Sequence, residues 1–358
     1  MKLLRVLLGL GMALLFLLVT LKGQAVLPPP TGQAPAYYVA TTGNDNGPGT
    51  LAQPWRTIQK AADTAGAGST VYVRGGSYPE QVTIHVSGSA AGGFVTFRNY
   101  EGETPILDGT AISLNESNSA AIRIEDQSYV VVQGFEIRNY RSASRSVAPV
   151  AIFVQGSAHH IQLKDNRIHA IETTALVDAE RQGADAHAIA VYGTNVPESI
   201  HEIVIANNEL YDLKLGSSEA LVLNGNVEGF TIVNNYVHDA DNIGIDLIGF
   251  EGIAPDPAYD QARKGTVIGN RVERISSFGN PSYGNVYSAG GIYVDGGRDI
   301  VIEQNMVSLS DIGIELASEH AGRATSRITV RSNVLHHNRM AGLLMGGYDT
   351  ARGSTVDC

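Results

Sequence analysis

The chain has 358 residues, of which 17% are charged, and it carries a formal net charge of −11 at pH 7. This acidity excludes a general nucleic-acid-binding role, because such proteins need a basic surface that neutralises phosphates. Cys358 is the sole cysteine in the sequence, so a framework of intramolecular disulfides is excluded as well.

The first segment has the pattern of a secretory signal peptide. Lys2 and Arg5 precede an apolar run over 7–19, and Gly23-Gln24-Ala25 supplies the small residues that a signal peptidase reads. The apolar run is shorter than the roughly 20 residues that a membrane-spanning helix needs. We therefore predict a signal peptide over 1–25, secretion or delivery to a bacterial cell envelope or periplasm, and no membrane association after cleavage.

The next segment predicts a proline-rich leader, followed by a helix that caps the first coil of strands. Residues 26–36 are rich in proline and are expected to form a stiff leader without core-forming residues. Strands are expected at Tyr37-Tyr38-Val39 and Val71-Tyr72-Val73, and the apolar residues between Thr57 and Ala65 recur at helical spacing. An amphipathic helix at this point would cover the exposed edge of a first coil of strands.

A strand motif then recurs along the chain: apolar, x, apolar, x, x, Asn, x, apolar. Its copies are centred on Asn166, Asn208, Asn235, Asn270 (with Gly265 at the first apolar position), Asn305 and Asn333, and an earlier copy has Phe135 in place of Asn. The alternation predicts strands, and the intervals of 27 to 42 residues predict equal coils joined by unequal loops. Asparagine tolerates the left-handed conformation at a corner, and stacked asparagines can form a hydrogen-bonded ladder.

A second strand recurs in each coil with the pattern small, apolar, x, apolar, x. Its copies begin at Ala121, Ala151, Ala188, Ala220, Gly244, Gly291, Gly313 and Gly342. The apolar residues are expected to point inward and the x residues outward. These features predict an all-β fold, a parallel β-helix with an N-terminal capping helix, as a single domain over 37–358. The sequence ends soon after the Gly342 strand without a capping segment, so we expect a C-terminal truncation.

The start of the chain resembles a known family. The resemblance lies in Tyr37-Tyr38-Val39-Ala40-Thr41-Thr42-Gly43-Asn44-Asp45, in Gln53-Pro54-Trp55-Arg56-Thr57-Ile58-Gln59 and in Val71-Tyr72-Val73-Arg74-Gly75-Gly76-Ser77-Tyr78. These segments look like the first coil of secreted pectate-lyase-like β-helix proteins, including polysaccharide lyase family 9 and bacterial β-helix-repeat relatives. The resemblance implies that the parallel β-helix is right-handed and that its substrate is a polysaccharide.

Outward residues of the second strand form a candidate binding floor. The long segments 169–187, 249–264, 273–290 and 317–326 are expected to wall it, and the floor comprises Tyr192, Val222, Asn224, Asp246, Tyr293, Asp295 and Glu315. Three carboxylates fall on successive coils. Because coils lie about 4.8 Å apart and residues about 3.3 Å apart along a strand, the backbones of Asp295 and either of the other two are expected about 8 Å apart.

The family resemblance implies a lyase that carries out β-elimination on a uronate-containing polysaccharide, assisted by Ca²⁺ and with a lysine as the base. Carboxylate oxygens are the ligands that Ca²⁺ prefers. The candidate ligands are Asp246, Asp295, Glu315 and Asp241, and the candidate bases are Lys264 and Lys214. Neither lysine is expected on the floor itself.

Two alternatives remain open at this point. Paired carboxylates at this spacing also suit an inverting glycoside hydrolase, with Asp246, Asp295 and Glu315 as the catalytic groups. A non-catalytic polysaccharide-binding surface protein is the other alternative. In all three cases we expect a monomer whose substrate-binding residues are Tyr293, Tyr192, Asn224, Arg339, Tyr348 and Arg352.

Overall fold

The structure, a computed structural model, describes residues 34–177 and 184–346. The predicted signal peptide, the start of the leader, and the predicted substrate-binding residues Tyr348 and Arg352 lie outside the described residues. Within these two ranges, no helix has both the length and the apolarity needed to cross a membrane.

Three parallel sheets run along the helix, and each coil contributes one strand to each sheet. The first sheet contains Ala36–Val39, Thr70–Val73, Val95–Asn99, Ser128–Gln133, His159–Lys164, Ile200–Ala206, Val227–Val233, Arg263–Ile268, Arg298–Glu303 and Ser326–Arg331. The second sheet contains Gly76–Tyr78, Pro105–Asp108, Glu136–Arg138, Arg167–His169, Glu209–Leu213, Tyr236–Ala240, Arg271–Ile275, Met306–Ser308 and Val334–His336. The third sheet contains Val82–Ile84, Asn118–Glu125, Ala148–Gln155, His187–Gly193, Leu221–Gly225, Ile245–Leu247, Gly290–Asp295, Ile312–Ala317 and Ala341–Met345. This arrangement confirms the predicted parallel β-helix. Two further short strands, Arg141–Ser142 and Glu172–Thr173, form a separate two-stranded parallel sheet.

The predicted capping helix is present and short. It spans Ile58–Ala62, and Thr57 is its N-cap, accepting a hydrogen bond from the backbone nitrogen of Lys60. The helix buries Ile58, Ala61 and Ala62, and it packs against the strands Ala36–Val39 and Val82–Ile84 of the first coil. A single 3₁₀ turn, Gly109–Ala111, is the other helical element among the described residues.

The interior is filled by aligned apolar side chains from successive coils. In the third sheet one inward column consists of Ile122, Ile152, Ile189, Leu221, Ile245, Ile292 and Ile314. Gly265 interrupts a similar column in the first sheet, where it pairs with Ile300. The ring of Phe230 on the preceding coil occupies the space, because a Cβ at Gly265 would lie 2.1 Å from that ring.

The predicted asparagine ladder is confirmed at the corner between the first and second sheets. The side-chain amide of Asn166 donates to Oδ1 of Asn208 at 3.0 Å, and Asn208 donates in the same way to Asn235 at 2.9 Å. The series continues through Asn270, Asn305 and Asn333. Each amide therefore meets the amide of the next coil, and the ladder holds the coils in register.

The predicted left-handed conformation of these asparagines is wrong. The residue with positive φ is instead the one before each ladder asparagine: Gly134 before Phe135, then Asp165, Asn207, Asn234, Gly269, Gln304 and Ser332. The preceding residue turns the chain, and this leaves the ladder amide free to point inward.

Another left-handed column matters for the site. It lies near the start of the strands of the first sheet and consists of Tyr129, His160, Glu202, Gly229, Lys264, Asp299 and Arg327. A left-handed residue breaks the alternation of a strand locally, so that two successive side chains can lie on the same face. This column fixes the position of Lys264 and of a histidine cluster described below.

Candidate functional site

The three predicted carboxylates lie on the outward face of the third sheet. Asp246 pairs with Tyr293, and Tyr293 pairs with Glu315, so Asp246 and Glu315 share a column two coils apart, as expected. Asp295 lies two residues beyond Tyr293 on the same strand. Its backbone is therefore about 8 Å from that of Glu315, from the standard spacings between strands and along a strand.

Three further carboxylates approach this group from the loops. Glu219 precedes the strand Leu221–Gly225, Glu251 lies in the loop after Ile245–Leu247, and Glu319 follows the strand Ile312–Ala317. The backbone nitrogen of Glu319 donates a hydrogen bond of 2.8 Å to Oδ1 of Asp295. None of the three is among the predicted site residues, although Glu251 and Glu319 lie in the predicted long loops 249–264 and 317–326.

Burial and mutual repulsion raise the pKa values of these groups. Burial and the charge of Glu319 raise the pKa of Asp295 to about 8 and that of Glu315 to about 7. Burial, followed by the charges of Glu219 and Asp295, raises the pKa of Asp246 well above its usual range. Burial and the charge of Glu251 have the same effect on Glu219. At neutral pH several of these carboxyl groups are therefore protonated.

A tyrosine-lined cavity of about 490 Å³ opens beside this group. Tyr283 and Tyr287, from the long segment 273–290, line it together with Tyr293, Glu315 and Glu319. The guanidinium of Arg339 is exposed and lies 3.7 Å from the centroid of the Tyr287 ring. Aromatic rings beside carboxyl groups can bind a sugar through its apolar faces and its hydroxyl groups.

On earlier coils the same outward face is apolar and buried. Ala120, Val150, Phe153, Ala190, Val222 and Ile248 form a cluster separate from the main core. Tyr192 packs against this cluster, and its hydroxyl lies 3.3 Å from Nε2 of His187. The ring and hydroxyl of Tyr192 therefore contact other residues of the protein rather than an open cavity. The open part of the predicted floor lies on the later coils.

One set of donors could hold a cation. Glu251, Asp295 and His320 each offer a ligand atom within 4.8 Å of the other two. Nδ2 of Asn224 donates to Glu251 at 2.8 Å, while the buried Oδ1 of Asn224 has no partner among the described residues. Two carboxylates and a buried amide oxygen match the ligands that Ca²⁺ takes. These residues therefore fit the cation that the family resemblance implies.

The two candidate lysines lie elsewhere. Lys264 is in the first sheet, and its Nζ forms an ion pair of 2.8 Å with Glu228. Lys214 and Asp241 line a separate cavity of about 450 Å³. Asp241 accepts a hydrogen bond from the backbone of Leu215, and burial raises its pKa to about 6. The structure therefore brings neither lysine, nor Asp241, together with Asp246, Asp295 and Glu315.

Comparisons with known proteins agree with this fold. A family model described as a right-handed beta helix region matches residues 150–356, and one described as a Pel9A-like right-handed beta helix region matches residues 37–195. The chain is 43% identical over 324 residues to the uncharacterized protein YwoF of Bacillus subtilis, covering 90% of this chain and 67% of YwoF.

The chain is also 28% identical over 207 residues to the pectate lyase PEL9 of Emericella nidulans, covering 55% of this chain and 47% of that protein. Among solved structures, the GH136 lacto-N-biosidase of Eubacterium ramulus has a TM-score of 0.62 at 16% identity, over 83% of this chain and 55% of the other. Pectate lyase Pel9A has a TM-score of 0.53 at 13% identity, over 85% and 77%. At these identities the two structures are alike in fold alone. Because one family model matches more than half of the chain, the protein belongs to the right-handed β-helix family and is a pectate-lyase-like member of it.

Proposed function

We propose that this protein is a secreted carbohydrate-active enzyme that hydrolyses a polysaccharide bound at the tyrosine-lined cavity. One observation carries the proposal. Glu315 lines the cavity, and Asp295 lies on the neighbouring coil, two residues beyond the cavity-lining Tyr293. The pKa values of Asp295 and Glu315 are raised to about 8 and about 7. A pair of carboxyl groups, one of which ionises near pH 7 while the other stays largely protonated, is what general acid–base catalysis requires.

The chemistry follows from these two groups. Asp295, the weaker acid, donates a proton to the glycosidic oxygen as the anomeric carbon–oxygen bond breaks. Glu315, in its carboxylate form, accepts a proton from the water that attacks the anomeric carbon. Inverting glycosidases hold their two carboxyl groups roughly 6.5–9.5 Å apart. The backbones of Asp295 and Glu315 are about 8 Å apart from strand geometry, and both side chains leave the sheet on its outward face, so a spacing of this order is within their reach. Solvent exchange then returns the proton to Asp295.

The charge of the site favours a neutral polysaccharide as the substrate. Glu251 and Glu319 lie beside the acid–base pair, and their negative charge disfavours a uronate polymer unless a cation lies between them. Tyr283 and Tyr287 supply aromatic surface for sugar rings, and Arg339 lies at the rim of the cavity. The signal peptide predicted from the sequence would deliver the enzyme to extracellular polysaccharide.

A second candidate is Ca²⁺-assisted β-elimination on a uronate polymer. The similarity to a pectate lyase and the donor set of Glu251, Asp295 and Asn224 support it. Bound Ca²⁺ would neutralise the substrate carboxylate. The elimination also needs a base, and the cavity is not lined by a lysine among the described residues. Arg339, which contacts the ring of the cavity-lining Tyr287, is a candidate for that base.

The test uses the full chain with a panel of neutral and uronate polysaccharides, with Ca²⁺ or with a chelator. Reducing ends and the ultraviolet absorbance of unsaturated products are followed together. We expect reducing ends without absorbance, and activity that persists in chelator. Absorbance that rises with Ca²⁺ would instead establish the lyase, and binding without either signal would establish a non-catalytic module.

Variants assign the activity to the site. Asp295→Asn and Glu315→Gln are each expected to lower kcat at least about 100-fold, the contribution typical of a general acid or base. Glu125→Gln is the matched control, because Glu125 is an exposed outward residue of the same sheet, five coils earlier in the column of Asp295. Equal activity of all three variants would exclude this acid–base pair.

A further inference from the structure

Three histidines converge on the outward face of the first sheet, on a different sheet from the carboxylates. His159 and His201 are direct partners on adjoining coils, and their rings stack at 4.9 Å with an angle of 13°. His160 follows His159 in the chain, with its Nδ1 3.0 Å from that of His159. One ring nitrogen of each lies within 4.8 Å of those of the other two.

The backbone explains why two successive histidines share a face. His160 has φ of 54° and belongs to the left-handed column of the first sheet. Because Ile161 is fully buried, regular alternation would leave His160 outward but turn His159 toward the core. The left-handed residue lets both side chains face outward. The ring of Tyr129 stacks on that of His160 at 4.3 Å and holds it against His159. All three histidines are partly exposed, so that an ion can reach them.

We propose that His159, His160 and His201 form a zinc site that links neighbouring coils of the helix. Neutral imidazole is a preferred ligand of Zn²⁺, with Zn–N distances of about 2.0–2.1 Å, so two nitrogens on one tetrahedral ion lie roughly 3.3 Å apart. The nitrogens of His159 and His160 are already close to this spacing. A ring nitrogen of His201 lies within 4.8 Å of both, so that a small shift brings all three to one ion.

The surroundings of His201 orient it as a ligand. Its Nδ1 lies 3.0 Å from the backbone oxygen of Ser199 and must donate a proton to it, which leaves Nε2 with a free lone pair. A histidine that donates its second ring nitrogen to a carbonyl is the usual arrangement at zinc sites, since it fixes the tautomer. Three histidines leave the fourth position of the ion to water.

The test is calorimetric titration of the full chain with Zn²⁺, accompanied by thermal unfolding with and without the ion. We expect one zinc per chain at this site and a rise in Tm on binding. His201→Gln and His160→Gln should each weaken binding at least tenfold and abolish the rise in Tm. These partly exposed positions tolerate glutamine, and unfolding without metal checks that each variant is folded.

Two control variants separate this site from others. His336→Gln alters the histidine pair His336–His337, whose Nδ1 atoms are 2.8 Å apart and which lacks a third histidine among the described residues. Glu251→Gln alters the donor set near Asp295. Both variants should still bind one zinc ion and show the rise in Tm. Unchanged zinc binding by His201→Gln, or loss of zinc binding in Glu251→Gln alone, would overturn the proposal.

Discussion

At the scale of single residues, the carboxyl group of Asp246 is buried, and Oδ1 accepts a hydrogen bond from the backbone nitrogen of Leu247. An asparagine can keep that hydrogen bond, because its side-chain oxygen can occupy the same position. The two side chains then differ mainly in whether they can ionise. Burial raises the pKa of Asp246, so ionisation costs free energy in the folded state.

We therefore predict that Asp246→Asn stabilises the protein at alkaline pH. At pH 8.5 its Tm should exceed that of the unaltered chain by at least roughly 1–2 °C, the shift that about 1 kcal/mol produces in a chain of this size. At pH 5 the difference should be much smaller, because pH 5 lies only about one unit above the pKa of an aspartate in the unfolded chain. Scanning calorimetry measures both values, with Asp165→Asn, at an exposed position, as the control. A lower Tm at both pH values would contradict the prediction.

At the scale of elements, the asparagine ladder joins the coils through buried amides. Oδ1 of Asn235 accepts hydrogen bonds from the backbone nitrogen and the side chain of Asn208. Its Nδ2 donates to the backbone oxygen of Ile205 and to Asn270. Removal of the Asn235 side chain leaves these groups without partners inside the protein, where water cannot replace them.

Asn235→Ala is expected to lower the free energy of unfolding by about 2–4 kcal/mol. Asn207→Gly is the matched control, because Asn207 is an exposed left-handed residue beside the ladder and glycine adopts that conformation without strain. Its effect should stay below about 1 kcal/mol. Chemical denaturation compares the two, and an equal loss would mean that the ladder contributes little.

The left-handed column of the first sheet also acts at the scale of elements, because it recurs near the start of successive strands. Lys264 belongs to this column, and its strand lies in the first sheet, where Nζ pairs with Glu228. A lysine close in sequence to Asp246 is therefore not close to its carboxyl group. The same column lets His159 face outward beside His160, so that both meet His201.

At the scale of the whole molecule, the carboxyl groups of the site make stability depend on pH. The pKa values of Asp295 and Glu315 rise from about 3.8 and 4.5 in the unfolded chain to about 8 and 7 when folded. Between these values the folded state binds more protons than the unfolded state, so stability falls as pH rises. The pKa of Asp239, lowered to about 2 by Arg274, affects stability only in more acidic solution.

We predict that Tm, measured in chelator, decreases steadily from pH 5 to pH 8.5. The double variant Asp295→Asn, Glu315→Gln should have a flatter profile, because two of the groups responsible are removed. Ca²⁺ at pH 8 should raise Tm if the cation binds at Glu251 and Asp295. A Tm that increases over this pH range would show that the carboxyl groups are solvated and titrate normally.

The sequence by itself determined the architecture of this protein, because the fold is built from local repeats. Alternation in strands and a buried asparagine in each coil are properties of short segments, and stacking follows from them. The shared column of Asp246 and Glu315 was predictable for the same reason, since strand register depends on the repeat. The assignment of the left-handed conformation to the ladder asparagines was wrong, because the residue before each asparagine makes the turn at the corner instead.

Tertiary structure decided what surrounds that column. Loops of unequal length bring Glu219, Glu251 and Glu319 to the carboxylates, and the path of a loop has no periodicity that sequence reasoning can use. The same holds for the position of Lys214 beside Asp241 and for the three histidines, which meet across two coils. Burial sets the pKa values that give these groups their chemistry, and burial depends on every segment packed around them.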